Sequence, residues 1–117
     1  MDKNIEKTTS IHIDLGLNKE KMPVDIKWKT SDAPANYPAQ DAKAFFLSFF
    51  DRASRDTMKM DLWTTDMQVE EMDRFIFFTL RSLGDTYFRA TNNKELAEQM
   101  QSFVQYFGEK TKIIPPK

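Results

Sequence analysis

The periodicity of apolar residues changes once along this chain, near Thr65, and this change constrains the fold more than any other feature. Before Thr65, several segments alternate apolar and polar residues, which is typical of half-buried β-strands. After Thr65, apolar residues recur at the i, i+3, i+4, i+7 spacing of amphipathic helices. Strands followed by helices indicate an α+β fold, since alternation of the two would be needed for α/β.

The alternating segments predict two antiparallel hairpins. Residues 11–17 and 24–29 are strands joined by a polar turn that ends in Pro23, and residues 30–41 form a long proline-containing loop. Residues 43–51 fit either a buried helical turn or a strand, and we favour a strand because aromatic residues dominate there. Residues 57–64 alternate again after a short polar loop. We therefore predict one four-stranded antiparallel sheet.

Two helices are predicted to follow the sheet. The first begins near Thr65 or Asp66, both good capping residues, and runs to about Ala90. The second begins after Asn92 and runs to about Gly108. We expect both helices to pack on one face of the sheet, so that residues 11–114 form a single α+β domain between a polar arm (1–10) and a short tail (115–117).

Composition excludes several function classes. The 117 residues include no cysteine and one histidine, which excludes cysteine-ligated zinc, thiol catalysis and His-rich metal sites. The net charge of −1 argues against nucleic-acid binding, and no apolar run is long enough to span a membrane. Residues 1–10 lack the apolar stretch of a secretory signal, so we expect a cytoplasmic protein.

No residue pattern predicts an active site, a cofactor or a bound metal. There is no glycine-rich phosphate loop, and His12 alternates outward on its strand. Asp51 and Asp56 flank the second hairpin loop, where aspartate bonds its own backbone, although a weak cation site is an alternative there. The acidic residues near the start of the first helix suit its dipole; they are Glu70, Glu71 and Asp73. We expect a protein that is not an enzyme.

The aromatic strand at residues 43–51 predicts an interaction surface. If its odd-numbered apolar residues face the helices, then Phe46 and Phe50 face away, and Trp63 joins them from the neighbouring strand. Swapping the assignment exposes the other set, because a two-layer domain cannot easily cover both faces. Contiguous exposed apolar surface usually marks an interface. We predict homo-oligomerisation or partner docking through Phe46, Phe50 and Trp63, the alternative being that the arm or the long loop covers these rings.

Much of the chain resembles a known family. The most specific segments are LWTTDM (residues 62–67) and DTYFRAT (residues 85–91), and the AFFLSFFDRASRDTMKMDLWT hairpin fits as well. The sequence is similar, from about Ile11 to Ile114, to GldC, the gliding-motility-associated family of Bacteroidetes. One departure is Gln68, where the family pattern leads us to expect a proline after the DM pair.

The resemblance implies context more than mechanism. GldC-like proteins are small and cytoplasmic, are associated with gliding machinery tied to type IX secretion, and offer no catalytic residues to carry over. The order of four strands and two helices is also similar to that of SecB-type export chaperones, which is an analogy at fold level only. We expect an accessory protein of the gliding apparatus that binds other proteins, the alternative being a SecB-like export chaperone or adaptor.

Overall fold

The α+β class is confirmed by a computed structural model of the protein, which describes residues 3–116. Within these residues the elements are β1 Ile11–Leu17, β2 Pro23–Thr30, β3 Gln40–Ala42, β4 Ala44–Phe50, β5 Thr57–Trp63, α1 Val69–Thr91 and α2 Lys94–Lys110. The chain divides into two compact units, a sheet unit up to Met67 and a helical unit from Gln68 onward. Two expectations stay predictions: that both helices cover one sheet face, and that residues 11–114 form a single domain.

The first predicted hairpin is confirmed as β1 and β2. The strands pair antiparallel, with Ile13 opposite Trp28 and Leu15 opposite Ile26. The turn between them is held by Asn18, whose side-chain oxygen accepts from two backbone N–H groups at 2.9 and 3.0 Å. Ile26 is fully buried and anchors the sheet unit.

The prediction of one four-stranded sheet is wrong. The strands form a three-stranded sheet in the order β1–β2–β3 and a separate two-stranded sheet of β4 and β5. The end of the predicted long loop, Gln40–Ala42, is the third strand of the first sheet. The physical reason is where β2 begins. Ile26 of β2 lies opposite Ala42, the last residue of β3, so only the few residues from Pro23 to Asp25 remain that could pair with β4. Pro23 itself has no N–H to donate, so β2 ends its pairing there and β4 pairs with β5 alone.

The segment that fitted either a strand or a helical turn is a strand. β4 pairs antiparallel with β5 along its whole length, from Ala44 opposite Trp63 to Phe50 opposite Thr57. The chain then turns through Thr64, which is 3% exposed and donates its hydroxyl to Asp66 Oδ1 at 2.6 Å. This hydrogen bond, aided by the charge of nearby Lys43, lowers the pKa of Asp66.

The helical unit is an antiparallel pair joined by two asparagines. α1 begins after Gln68, whose backbone N–H donates to the Glu71 carboxylate at 2.9 Å, so the predicted caps Thr65 and Asp66 lie in the preceding turn instead. α1 ends where Asn92 takes the left-handed conformation with φ of 57°. The side chain of Asn93 then caps α2 by accepting from the backbone N–H of Leu96 at 3.1 Å.

Each of the two helices has one glycine in the interior of the helical unit. Gly84 of α1 and Gly108 of α2 are both buried. Three apolar side chains complete the buried set of this unit, and they are Phe77, Ala97 and Val104. On α2, Val104 is therefore buried, whereas the adjacent Phe103 is 53% exposed.

Candidate interaction surface

The antiparallel register of β4 and β5 gives this hairpin two faces of different chemistry. Directly opposite residues share a face, and faces alternate along each strand. One face is entirely apolar, and we call it the apolar hairpin face: Phe45, Leu47, Phe49, Met58, Met60 and Leu62. The other combines aromatic with polar residues, and we call it the mixed hairpin face: Ala44, Phe46, Ser48, Phe50, Thr57, Lys59, Asp61 and Trp63.

The three residues predicted to form an interaction surface all lie on the mixed hairpin face. Phe46, Phe50 and Trp63 are 46%, 67% and 54% exposed, respectively. Phe46 lies opposite Asp61, two residues from Trp63, so these two rings are diagonal neighbours. Phe50 lies at the loop end of the same face, separated from them by Ser48. The register therefore brings Phe46 and Trp63 together and leaves Phe50 apart.

Polar groups surround the rings of the mixed hairpin face. Lys59 Nζ lies 2.7 Å from Asp61 Oδ1 and 5.6 Å from the centre of the Phe46 ring. The lysine thus makes an ion pair and a cation–π contact on one exposed surface. Such a surface offers aromatic area bordered by polar groups, and protein interfaces combine aromatic residues with a polar rim.

Sequence reasoning missed the exposed half of the apolar hairpin face. Phe49, Met58 and Met60 are 61%, 64% and 55% exposed, as much as the predicted trio. Phe45 and Leu47, at the other end of this face, are only partly exposed. The signal available in the sequence was position, because Phe49 and Met58 lie at the loop end of the predicted hairpin.

The loop that joins β4 and β5 is held by hydrogen bonds between its own side chains and backbone N–H groups. The Asp51 carboxylate accepts from the backbone N–H of Ser54 at 2.8 Å, and the backbone N–H of Asp56 donates to the Ser54 hydroxyl at 3.2 Å. The hydrogen bonds that the Asp51 carboxylate accepts from Ser54, first from its backbone N–H and then from its side chain, lower the pKa of Asp51. The turn-forming interpretation of Asp51 is therefore confirmed. Across residues 3–116, no group of three or more acidic or histidine side chains could hold a metal ion.

A second apolar feature of the sheet unit is a groove beside β1 and β2. It has a volume of about 260 Å³ and is lined mainly by apolar side chains. Ile11 and Ile13 come from β1, Trp28 from β2 and Phe45 from β4. The groove thus reaches the partly exposed end of the apolar hairpin face.

A comparison with protein families identifies the chain. The family model described as gliding motility-associated protein GldC-like matches residues 23–113, which is most of the sequence. The chain belongs to the GldC-like family. No curated protein and no solved structure gives a significant match.

The first segment that carries the GldC-like resemblance has a structural role. LWTTDM covers the end of β5 and the turn in which Thr64 bonds to Asp66. The backbone N–H of Thr64 also donates to the Lys43 carbonyl at 2.8 Å, which extends the β4–β5 ladder. Gln68 follows, and its backbone N–H donates to the Glu71 carboxylate, a bond that a proline at this position could not make.

The second segment that carries the GldC-like resemblance ends the first helix. In DTYFRAT, Arg89 lies 3.8 Å from the Asp85 carboxylate one turn earlier. Thr91 donates its hydroxyl to the Tyr87 carbonyl at 2.8 Å and accepts from the Asn93 backbone N–H at 3.1 Å. LWTTDM thus includes Trp63 of the mixed hairpin face and leads out of β5, whereas DTYFRAT forms the end of α1. Neither α1 nor α2, the helices of residues 3–116, has an apolar stretch that could cross a membrane.

Proposed function

We propose that this GldC-like protein is a non-enzymatic, cytoplasmic accessory component of the Bacteroidetes gliding-motility and type IX secretion apparatus. It acts by binding another protein of that machinery through the β4–β5 hairpin. The family membership supports the association with gliding. The observation that carries the binding role is the exposure of aromatic rings and methionines on both hairpin faces.

Chemistry on the two faces favours binding to a protein over binding to a small molecule. Phe46, Phe50 and Trp63 provide large rigid rings, which are enriched at protein interfaces and dominate their energetics. Met58 and Met60 are flexible and adapt to a partner's shape. The faces are open surfaces of a two-stranded sheet, whereas small-molecule sites are concave and bury most of their ligand.

Affinity purification from a gliding cell tests the proposal. The tagged wild-type chain is expected to retain a gliding or type IX secretion protein, identified by mass spectrometry. Trp63→Glu and Phe49→Glu, one on each hairpin face, are expected to reduce that recovery at least about tenfold, since a charge replaces an aromatic ring that the proposed complex would bury. Tyr37→Glu is the matched control, because Tyr37 is an exposed aromatic residue in the loop before β3.

The outcome that would contradict the proposal is equal recovery of the machinery protein with all three variants. A hairpin variant whose circular dichroism differs from that of the wild type is replaced by the milder Trp63→Ser or Phe49→Ser. Loss of gliding in cells that carry only a hairpin variant, with normal gliding for Tyr37→Glu, would give the same conclusion in vivo.

A SecB-like chaperone role is the second candidate. The apolar groove beside β1 and β2 favours it, because it continues toward the apolar hairpin face and could hold an extended apolar segment of a client. Calorimetric titration with a permanently unfolded, reduced client protein separates the two candidates. Binding of several unrelated unfolded chains would favour the chaperone, and binding of one machinery protein alone would favour the accessory role.

A further inference from the structure

Within residues 3–116 no strand pairs with the outer edge of β5, and the backbone contact with β2 comes after β5 ends, where the Thr65 N–H donates to the Pro23 carbonyl at 3.0 Å. β5 pairs with β4 on one side only, and the two form a complete sheet by themselves. Two-stranded sheets are marginally stable in water, and a third or fourth strand stabilises them. An unpaired strand edge is also a template for pairing with another chain.

The ladder shows which backbone groups of β5 point outward. Two directly opposite pairs of the same register are hydrogen bonded: the Thr64 N–H donates to the Lys43 carbonyl at 2.8 Å, and the Asp51 N–H to the Asp56 carbonyl at 2.9 Å. Hydrogen-bonded and non-bonded pairs alternate along an antiparallel ladder. The alternation directs the backbone groups of Met60 toward β4 and those of Lys59 and Asp61 outward.

We propose that β5 pairs antiparallel with β5 of a second copy of this chain, about a twofold axis at Met60. In this register Lys59 of each copy lies opposite Asp61 of the other. Met58 lies opposite Leu62, and Thr57 lies opposite Trp63. All seven residues of β5 are then paired, and the two hairpins form a continuous four-stranded antiparallel sheet with the closed symmetry of most dimers.

Charge selects this register over its neighbours. Shifting the axis by one residue sets Lys59 opposite its own copy, or Asp61 opposite its own copy, and like charges directly opposite each other destabilise a strand pair. A lysine on an edge strand often prevents pairing. Asp61 of the same chain already pairs with Lys59 at 2.7 Å, and an axis at Met60 also sets Asp61 of the other copy directly opposite that lysine.

The outer edge of β4 has no charged residues that could fix a register. The outward backbone groups there belong to Ala44, Phe46, Ser48 and Phe50, none of which is charged. Self-pairing of β4 would therefore be free to slip between registers. The self-complementary edge of the hairpin is that of β5.

This inference deepens the proposed function and rests on it only in taking the hairpin as the interaction element. The proposed function uses the faces of the hairpin, and the dimer uses its edge. The tests below use the purified chain alone, so their failure would leave binding of a machinery protein intact. Failure of that binding would equally leave the dimer intact.

Charge reversal with complementation tests the register in solution. Lys59→Asp carries two acidic residues on the edge and Asp61→Lys carries two basic ones, so each is expected to be a monomer by light scattering where the wild type is a dimer. An equimolar mixture of the two variants restores opposite charges at both positions and is expected to form heterodimers. A monomeric wild type, or a mixture that stays monomeric, would overturn the proposal.

A single cysteine tests the position of the axis. The chain has no cysteine, so Met60→Cys has one thiol. At the axis the two Cα atoms form a non-bonded pair about 4.5 Å apart, within the range of a disulfide. Mild oxidation is expected to cross-link Met60→Cys nearly completely.

Thr57→Cys is the matched control for the cross-link. The two copies of residue 57 lie about 20 Å apart in the proposed register, since six residues separate them along the strand. This variant is expected to stay uncross-linked. Equal cross-linking of the two variants would overturn the register. A monomeric wild type whose Met60→Cys variant cross-links to a different protein in a cell extract would assign the edge to a foreign strand and would also overturn the proposal.

Discussion

Gly108 is the residue at which backbone propensity and packing oppose each other most directly. It lies in the last turn of α2, where alanine would ordinarily be the better helix former by about 1 kcal/mol. A Cβ on Gly108 would lie 2.5 Å from Phe77 Cε1 and 2.8 Å from Ile114 Cγ1. The tail after α2 folds back over this point, with the Ile113 N–H donating to the Gly108 carbonyl at 2.9 Å.

We expect Gly108→Ala to lower the free energy of unfolding by about 1–3 kcal/mol, because a rigid ring and a folded-back tail must both shift. Gly84→Ala is the matched control, since a Cβ there meets chiefly the far end of the flexible Gln101 side chain. Gly84→Ala is expected to be neutral or stabilising by up to about 1 kcal/mol. Urea denaturation followed by circular dichroism measures both, and the packing argument fails if Gly108→Ala proves the more stable of the two.

At the scale of elements, alternation and helical spacing predict most of the strands and both helices. β1 is confirmed at its predicted bounds, residues 11–17, because its alternation is strict and a polar turn follows it. β3 could not be predicted, since a three-residue strand carries no period, and QDA resembles the loop before it. The division into two sheets depends on where β2 ends against its neighbour, which is a property of pairing and not of any one segment.

The candidate surface could be predicted only in part, because it too depends on how segments pair and pack. Strand periodicity correctly grouped Phe46, Phe50 and Trp63 on one face. It could not rank the exposure of the opposite face, where Phe45 is half-buried and Phe49 is 61% exposed. Exposure along a strand depends on what lies beside each residue in space, and the sequence pattern does not contain that information.

The β4–β5 hairpin should lose stability in acid through its loop. The pKa of Asp51 is lowered in the folded protein, chiefly by its backbone hydrogen bond from Ser54. A lowered folded pKa stabilises the native state fully above the ordinary carboxyl pKa of 3.8, and this contribution is lost as the pH falls through the folded pKa. We expect Asp51→Asn to be less stable than the wild type near neutral pH and the difference to disappear in acid.

Urea midpoints measured across the acidic range test this dependence. Asp56→Asn is the control at the other end of the same loop, where the backbone N–H and carbonyl make the bonds. It is expected to follow the wild type at every pH. A stability difference between Asp51→Asn and the wild type that does not change with pH would show that the Asp51 carboxylate is not the acid-sensitive group of the loop.

At the scale of the whole molecule, each of the two compact units has few buried side chains. In the sheet unit, Ile26 and Thr64 are the buried side chains among the residues described, and in the helical unit they are Phe77, Ala97 and Val104. Cores of this size rarely stabilise chains of some 50–65 residues strongly. We therefore expect the sheet and helical units to unfold together, as the single domain predicted for residues 11–114.

Two spectroscopic probes follow the unfolding of the two units individually, and neither needs a substitution. Both tryptophans, Trp28 and Trp63, lie in the sheet unit. The far-ultraviolet circular dichroism is instead dominated by the helical unit, because α1 and α2 have 23 and 17 residues. Coincident urea transitions by tryptophan fluorescence and by circular dichroism are expected for one cooperative domain. A fluorescence transition that comes clearly before or after the loss of helix would instead establish two domains, and the hairpin would then expose its faces and its edge independently of the helices.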